Sequence, residues 1–277
     1  MYIAPGLLYL HVPRTAGTFV TNVLERTGIG TRNVEGLSVH DGVRRVPARL
    51  RENRIVVGTV RDPWSWYVSL YASYRNHKTG NLTGPLAELV GNQANFQKAL
   101  DMMTRPKGQA TIVAPKLSGA ANAVDPRIGR TIDRAGIGLW SWYIISTFCE
   151  DPIEATDDLA GQLGDDNELP WSIDVAIDVA TVEVGLARVL EAVNGPKAAE
   201  TIGFLQKSSP VNETPAEFSW RGVRPSGRPS PKLWDEGSIR TVEEVDGYLI
   251  RRFGFDKPVG GRPEIHALSA ATQDGDG

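Results

Sequence analysis

The chain is short of cysteine, histidine and methionine, and it lacks any long hydrophobic run. One cysteine stands among 277 residues, so no disulfide can form within the chain, which fits a reducing compartment. That residue, Cys149, ends the apolar run Ile144-Ile145-Ser146-Thr147-Phe148-Cys149 and is expected as a buried, inert thiol rather than a nucleophile. The four histidines, His11, His40, His77 and His266, are scattered and make no zinc-ligand spacing, so no metal is expected. No apolar stretch is long enough to span a membrane. Residues 2–10 lack the basic start of a signal peptide and read as a first strand. The net charge is −3, which disfavours a general nucleic-acid partner but leaves room for a local basic pocket. These absences point to a soluble, cytoplasmic protein. Length and composition suit one large α/β domain, or a domain with an insertion.

What is present is concentrated in one stretch, His11-Val12-Pro13-Arg14-Thr15-Ala16-Gly17-Thr18. The apolar run Leu7-Leu8-Tyr9-Leu10 precedes it. Phe19, Val20, Val23 and Leu24 follow on one helical face, and Gly28 stops the pattern. That order predicts a buried strand, a tight turn and an amphipathic helix. Such a turn presents backbone N–H groups and the positive end of the helix dipole to an anion. Gly17 permits close approach of the backbone. Thr15 and Thr18 are expected to add hydroxyl donors, and Arg14 a charged fork. The physical expectation is a cradle for phosphate or sulfate. It is not a Walker A loop, which needs G-x-x-x-x-G-K-S/T. Val12 stands at the first glycine position, and no lysine precedes Thr18.

The next strong signal is Arg54-Ile55-Val56-Val57-Gly58-Thr59-Val60, a nearly continuous apolar, β-branched strand of the kind covered on both faces. It runs into Arg61-Asp62-Pro63-Trp64, where Asp62 is a candidate N-cap and Pro63 suits the first helical position. The helix that follows carries Trp64, Val68, Tyr71 and Tyr74 on one side. Ser65, Ser69 and Ser73 form a strip of small residues that lets a backbone or a ligand come close.

The first stretch resembles the 5′-phosphosulfate loop of the PAPS-dependent sulfotransferases, commonly H-x-P-K-T-G-G-T. Pro13, Thr15, Gly17 and Thr18 match; Arg14 replaces the usual lysine and Ala16 a frequent glycine. Arg61-Asp62-Pro63, with Ser69 eight positions after Arg61 and then Leu70-Tyr71, resembles the family's 3′-phosphate motif. Eight helical residues rise roughly 12 Å, so the resemblance requires the turn to fold Arg61 back toward Ser69. Ser209-Pro210-Val211-Asn212-Glu213-Thr214 is similar to a weaker V-N-x-S/T feature near the cofactor, and Phe253-Gly254-Phe255 to the end of the closing helix. The resemblance implies a three-layer α/β/α fold with a central, mainly parallel sheet, P-loop NTPase-like. It implies transfer of a sulfuryl group from 3′-phosphoadenosine 5′-phosphosulfate (PAPS, leaving PAP) to a hydroxyl or amine of a small-molecule or glycan acceptor, without a metal. Pro13, Arg14, Thr15, Ala16, Gly17, Thr18, Arg61, Ser69 and Asn212 would bind the cofactor. Arg14 cannot practically release a proton, so its role would be charge stabilisation at the leaving oxygen.

The acceptor must lose a proton. His40 is the first candidate base, because its ordinary pKa lies near neutrality and its position matches the base of some carbohydrate 2-O-sulfotransferases. Glu35 is the second, since other branches of the family use a glutamate in this region. His11 matches a position that is usually structural, and His77 and His266 have no supporting context. Two other readings stay open: a P-loop kinase or NTPase using ATP and Mg²⁺, which lacks its lysine here, and a non-catalytic nucleotide-binding member of the fold.

Elsewhere the pattern predicts a short strand at 32–36, a basic helix over 43–50, a helix over about 86–102 followed by a polar loop, and a helix over 136–149 whose aromatics are core. It continues with a loop or short helix in 150–168, a strand over 173–179, a helix ending at Asn194-Gly195-Pro196, and a helix opened by a capping box at Thr241. The basic stretch Arg221–Arg228 either closes over the nucleotide or is a solvated loop. One domain is expected over 1–258, with a helical or loop insertion at about 78–150 and a disordered tail at 259–277.

Overall fold

The computed structural model describes residues 1–26, 28, 30–31, 36–75, 90, 95–105, 126–161, 169–194 and 234–258. Glu35, Asn212, the expected strand at 32–36, the basic stretch 221–228 and the tail 259–277 lie outside the described residues, as do His77 and His266.

Strands β1 (Tyr2–Ala4) and β2 (Leu7–Leu10) form an antiparallel hairpin instead of one strand over 2–10. Pro5-Gly6 makes the turn, with Gly6 at φ 71°, a conformation that costs glycine little. β2 pairs in parallel with β3 (Ile55–Val60), and β3 in parallel with β4 (Val175–Asp178). Among the described residues the sheet order is β1-β2-β3-β4, so the parallel strands are β2, β3 and β4, with β1 as an antiparallel edge.

Alternation along the strands divides the core into two apolar clusters on opposite faces. Leu7, Tyr9, Val57 and Ile177 pack with Phe19, Val20, Val23 and Leu24 of α1 (Gly17–Arg26) and with Leu186, Val189 and Leu190 of α8 (Val182–Asn194). Leu8, Leu10, Val56, Val60 and Ala176 face the larger cluster. Its helices are α3 (Pro63–Arg75), α4 (Phe96–Thr104), α6 (Leu139–Phe148) and α9 (Glu236–Phe253). α5 (Pro126–Ala135) and α7 (Pro152–Gly161) add Ile132 and Ala155 to it, and the short α2 (Ala48–Arg51) precedes β3. The fold is therefore α/β, with an open, mainly parallel sheet flanked by helices on both faces.

Several boundaries differ from expectation. The basic segment 43–50 divides into a 3₁₀ turn at Val43–Arg45 and α2, because Val46-Pro47 is extended and a proline cannot continue the first turn. α4 begins after Asn95, whose side chain accepts from the Lys98 N–H at 3.0 Å. Helix α5 falls where a polar loop is predicted; Pro126 opens it as a first helical residue. α9 starts at the Asp235 cap rather than at Thr241, whose hydroxyl donates to the Gly237 carbonyl inside the helix. α6 is buried in the core: Trp140, Trp142, Ile144, Ile145 and Phe148 all belong to the larger cluster. Cys149 is buried and free, its thiol pushed up to about 12 by burial, as expected of an inert core residue. No helix among the described residues is long and apolar enough to cross a membrane.

Candidate functional site

The three parallel strands end at the same edge of the sheet. Leu10 of β2 leads into His11–Ala16, Val60 of β3 into Arg61-Asp62, and β4 ends at Asp178, in register with Val60. The crevice beyond the carboxyl ends of parallel strands is where open α/β sheets bind ligands.

The first loop is held from below. Thr15 is fully buried, and its hydroxyl donates to the Val12 carbonyl at 2.7 Å. It also lies 2.9 Å from the Thr59 hydroxyl, which in turn meets the Tyr9 hydroxyl at 2.7 Å. The hydroxyl expected to face an anion thus faces the core, because β3 offers it a buried polar partner. Trp66 of α3 donates its indole N–H to the Pro13 carbonyl at 2.8 Å. Arg14 and Ala16 take positive φ, 67° and 58°, so the backbone alternates its direction through the turn. Arg14 and Thr18 are exposed. Gly17 is required by an internal neighbour: a Cβ there would lie 1.8 Å from His11 Cδ2. The space that the sequence reserves for a ligand's approach is taken at that atom by the His11 ring.

The second loop is arranged in parallel. Asp62 caps α3, its carboxylate accepting from the Ser65 N–H at 2.7 Å and from the Ser65 hydroxyl. Arg61 Nε donates to Ser65 Oγ at 2.8 Å, and Trp140 of α6 donates its indole N–H to the Arg61 carbonyl at 3.0 Å. Two buried indoles therefore each grip a carbonyl of one loop. Burial draws the Arg61 pKa below its usual value, opposed by the nearby Asp62 and Asp178 carboxylates. Asp178 is pushed up to about 6, chiefly by burial and further by Asp62, against the Ala180 N–H it accepts at 3.0 Å and the charge of Arg61.

The two loops meet through Arg14. Its Nε donates to Ser69 Oγ at 3.1 Å, and Arg61 Nη1 approaches the Arg14 carbonyl at 3.5 Å. Arg61 thus bonds Ser65, one turn before Ser69, while Ser69 accepts from Arg14. Both arginines and both serines nonetheless share one crevice.

His40 lies in the turn 38–41 beside this crevice. Its Nδ1 is 3.3 Å from the His11 carbonyl, and the two imidazole rings are 4.5 Å apart at 49°. The turn is fixed by Asp41, which accepts from the Ser38 N–H at 2.7 Å and pairs with Arg45 at 3.4 Å. Desolvation by burial lowers the His40 pKa. The Met1 amino group adds to this, while the His11 carbonyl and Asp41 oppose it. His40 is nevertheless an exposed residue.

Sequence reasoning missed Ser65, Trp66, Trp140 and Asp178 as site residues. Ser65 is visible in retrospect as the residue three positions after a capping aspartate; the two indoles carry no signal that separates them from ordinary core. Compared with known protein families, with curated proteins and with solved structures, the chain finds no match.

Proposed function

We propose that the protein is a PAPS-dependent sulfotransferase of P-loop-like fold, acting on a hydroxyl or amine of a small-molecule or glycan acceptor. The observation that carries this reading is the Arg14–Ser69 hydrogen bond, which ties the first loop to the helix of the second motif and sets Arg14 near Arg61. Two separate anion-binding loops, each with its own arginine, suit a nucleotide with charged groups on both its 5′ and 3′ sides better than a single polyphosphate chain. The motif resemblance assigns residues 13–18 to the phosphosulfate and Arg61 with Ser69 to the 3′-phosphate. Asn212 is assigned to the same cofactor but lies outside the described residues.

The bound donor supplies an activated sulfuryl group on a phosphate leaving group. The chain's own groups then have distinct tasks. The α1 N-terminus and the backbone of the turn orient the anion. The Arg14 guanidinium would stabilise the negative charge that grows on the leaving phosphate oxygen as the sulfur–oxygen bond breaks. The His11 carbonyl can only accept, so the His40 Nδ1 carries its hydrogen and the neutral ring offers Nε2 as acceptor. As the acceptor oxygen or nitrogen bonds to sulfur, its proton passes to Nε2.

Thermal melting with PAP in EDTA, with ATP and Mg²⁺, and with buffer alone tests the reading. PAP at about a hundred times its Kd adds roughly 2.7 kcal/mol, which for a chain of this size is an upward shift of roughly 5 °C or more. A shift with ATP and Mg²⁺ alone favours the kinase or NTPase reading, and no shift with either nucleotide removes both. PAP binding without sulfuryl transfer to any hydroxyl or amine acceptor favours the non-catalytic one.

A further inference from the structure

His11 sits at a junction that no anion-binding role explains. It is the first residue after β2 and is 8% exposed. One face of its ring fills the space left by the missing side chain of Gly17, the first residue of α1. The ring lies 6.3 Å from that of Tyr9, nearly parallel at 22°, which supports it from the β2 side. The His40 ring rests against it at 4.5 Å, and the carbonyl of the same residue holds His40 Nδ1. One residue thus supplies both a packing surface and a hydrogen-bond acceptor to the candidate base, while abutting the helix start beneath the candidate anion site.

We propose that His11 is a positioning residue: its ring and carbonyl together fix the orientation and tautomer of the His40 imidazole, and its seat against Gly17 ties that orientation to the start of α1. The proposal rests on the reading of His40 as the base in sulfuryl transfer. The ring excludes water from one side of His40, and the carbonyl selects the Nδ1–H form. A neutral imidazole with Nε2 unprotonated is the state that can take a proton. A base displaced by an ångström loses on the order of a hundredfold in rate, so a small shift of the His11 ring is enough to matter. The charged groups acting on His40 are the Met1 amino group and Asp41.

The test is ¹⁵N-detected NMR titration of the imidazoles in the wild-type protein and in His11→Ala, His11→Phe and Gly17→Ala, with kcat–pH profiles beside it. In the wild type, His40 should titrate below its ordinary 6.5 and show the Nδ1–H tautomer when neutral. In His11→Ala, water reaches the ring, so its pKa should rise toward the ordinary value, the tautomers should mix, and kcat should fall roughly tenfold to a hundredfold. His11→Phe restores a ring of similar size and keeps the backbone carbonyl, so tautomer, pKa and most of kcat should return. Gly17→Ala presses a methyl into the His11 ring and should shift the His40 titration in the same direction as His11→Ala, by an independent route. Unchanged His40 titration in both His11→Ala and Gly17→Ala overturns the proposal, whatever happens to activity. Loss in His11→Phe equal to that in His11→Ala, with the His40 titration intact, also overturns it, by giving His11 a chemical task of its own. Full activity in His40→Ala would remove the base reading instead, and the titrations would still decide whether His11 positions His40.

Discussion

Arg14 Nε, in the loop after β2, donates to Ser69 Oγ on α3, fifty-five residues away in sequence. The bond sets an exposed guanidinium beside the serine strip of α3, with Arg61 Nη1 3.5 Å from the Arg14 carbonyl. Charge stabilisation at a leaving oxygen needs a fixed cation rather than a titrating one. Arg14→Lys should therefore retain a large part of kcat, and Arg14→Ala should lose roughly 10²–10³-fold, as for removal of one preorganised donor. Steady-state sulfuryl transfer measures both. Unchanged turnover in the alanine variant would take Arg14 out of the mechanism.

Arg61 is locked at Nε by Ser65 and anchored at its carbonyl by Trp140. If it reads a 3′-phosphate, Arg61→Ala should weaken PAP by roughly tenfold to a hundredfold, the range of a hydrogen bond to a charged group. Adenosine 5′-phosphosulfate has no 3′-phosphate and should be affected much less. Calorimetric titration of the two ligands decides it, and equal losses would show that Arg61 does not distinguish them.

His40→Ala should lower kcat by roughly 10²–10⁴-fold with little change in PAP affinity. Because desolvation lowers the His40 pKa, the acid limb of the kcat profile should lie below 6.5 and vanish in the variant. Glu35→Gln is the paired control. A dead Glu35→Gln beside an active His40→Ala reverses the assignment.

The loops were legible in the sequence because their chemistry is local: Pro13, Gly17, Asp62 and Pro63 each specify a turn or a cap within a few residues. The strands β3 and β4 were legible from apolar continuity and alternation. What could not be read is long-range. Thr15 turns inward because Thr59 waits forty-four residues away, and Arg14 finds Ser69 fifty-five residues away. Gly17 serves His11, a ring that only the folded hairpin brings there. The start of α9 was misplaced because Thr241 and Glu244 satisfy a capping pattern, while the actual cap, Asp235, lies six residues earlier and is matched by Ser238. Patterns of spacing say which local structures are possible; burial chooses between them.

Asp246 of α9 is fully buried and caps α6 from outside it. It accepts from the Ser141 N–H at 3.2 Å, the Ser141 hydroxyl at 2.6 Å and the Tyr67 hydroxyl at 2.8 Å. Burial nevertheless raises its pKa to about 6. A carboxyl raised on folding binds its proton more tightly in the native state. Its contribution to stability is complete below its unfolded value near 3.8 and is lost as pH rises through about 6. The loss is on the order of 3 kcal/mol. Asp178 is raised in the same window and adds to the slope. Urea unfolding at pH 4.5 and 7 should show the wild type losing stability as pH rises, and Asp246→Asn, which cannot ionise, losing less. An Asn variant with the full wild-type slope would assign the effect elsewhere.

Ala16 holds φ at 58° in the turn before α1, in a region where a Cβ costs roughly 1–2 kcal/mol. Its neighbour Arg14 carries the same strain but has a side chain engaged with Ser69, so only Ala16 can be relieved without removing a contact of the site. Glycine adopts this φ freely and gives back part of the gain, roughly 0.5–1 kcal/mol, through greater freedom of the unfolded chain. Ala16→Gly should therefore stabilise the fold by about 0.5–1 kcal/mol, read as a higher denaturation midpoint with an unchanged m-value. PAP affinity should hold or improve, since the same backbone N–H groups keep their directions with less strain. A lower midpoint would mean that Ala16 is not strained and that another conformation of the turn prevails in solution. A stabilised variant with weakened PAP binding would mean that the strained turn, rather than its relaxed form, is the shape the anion recognises.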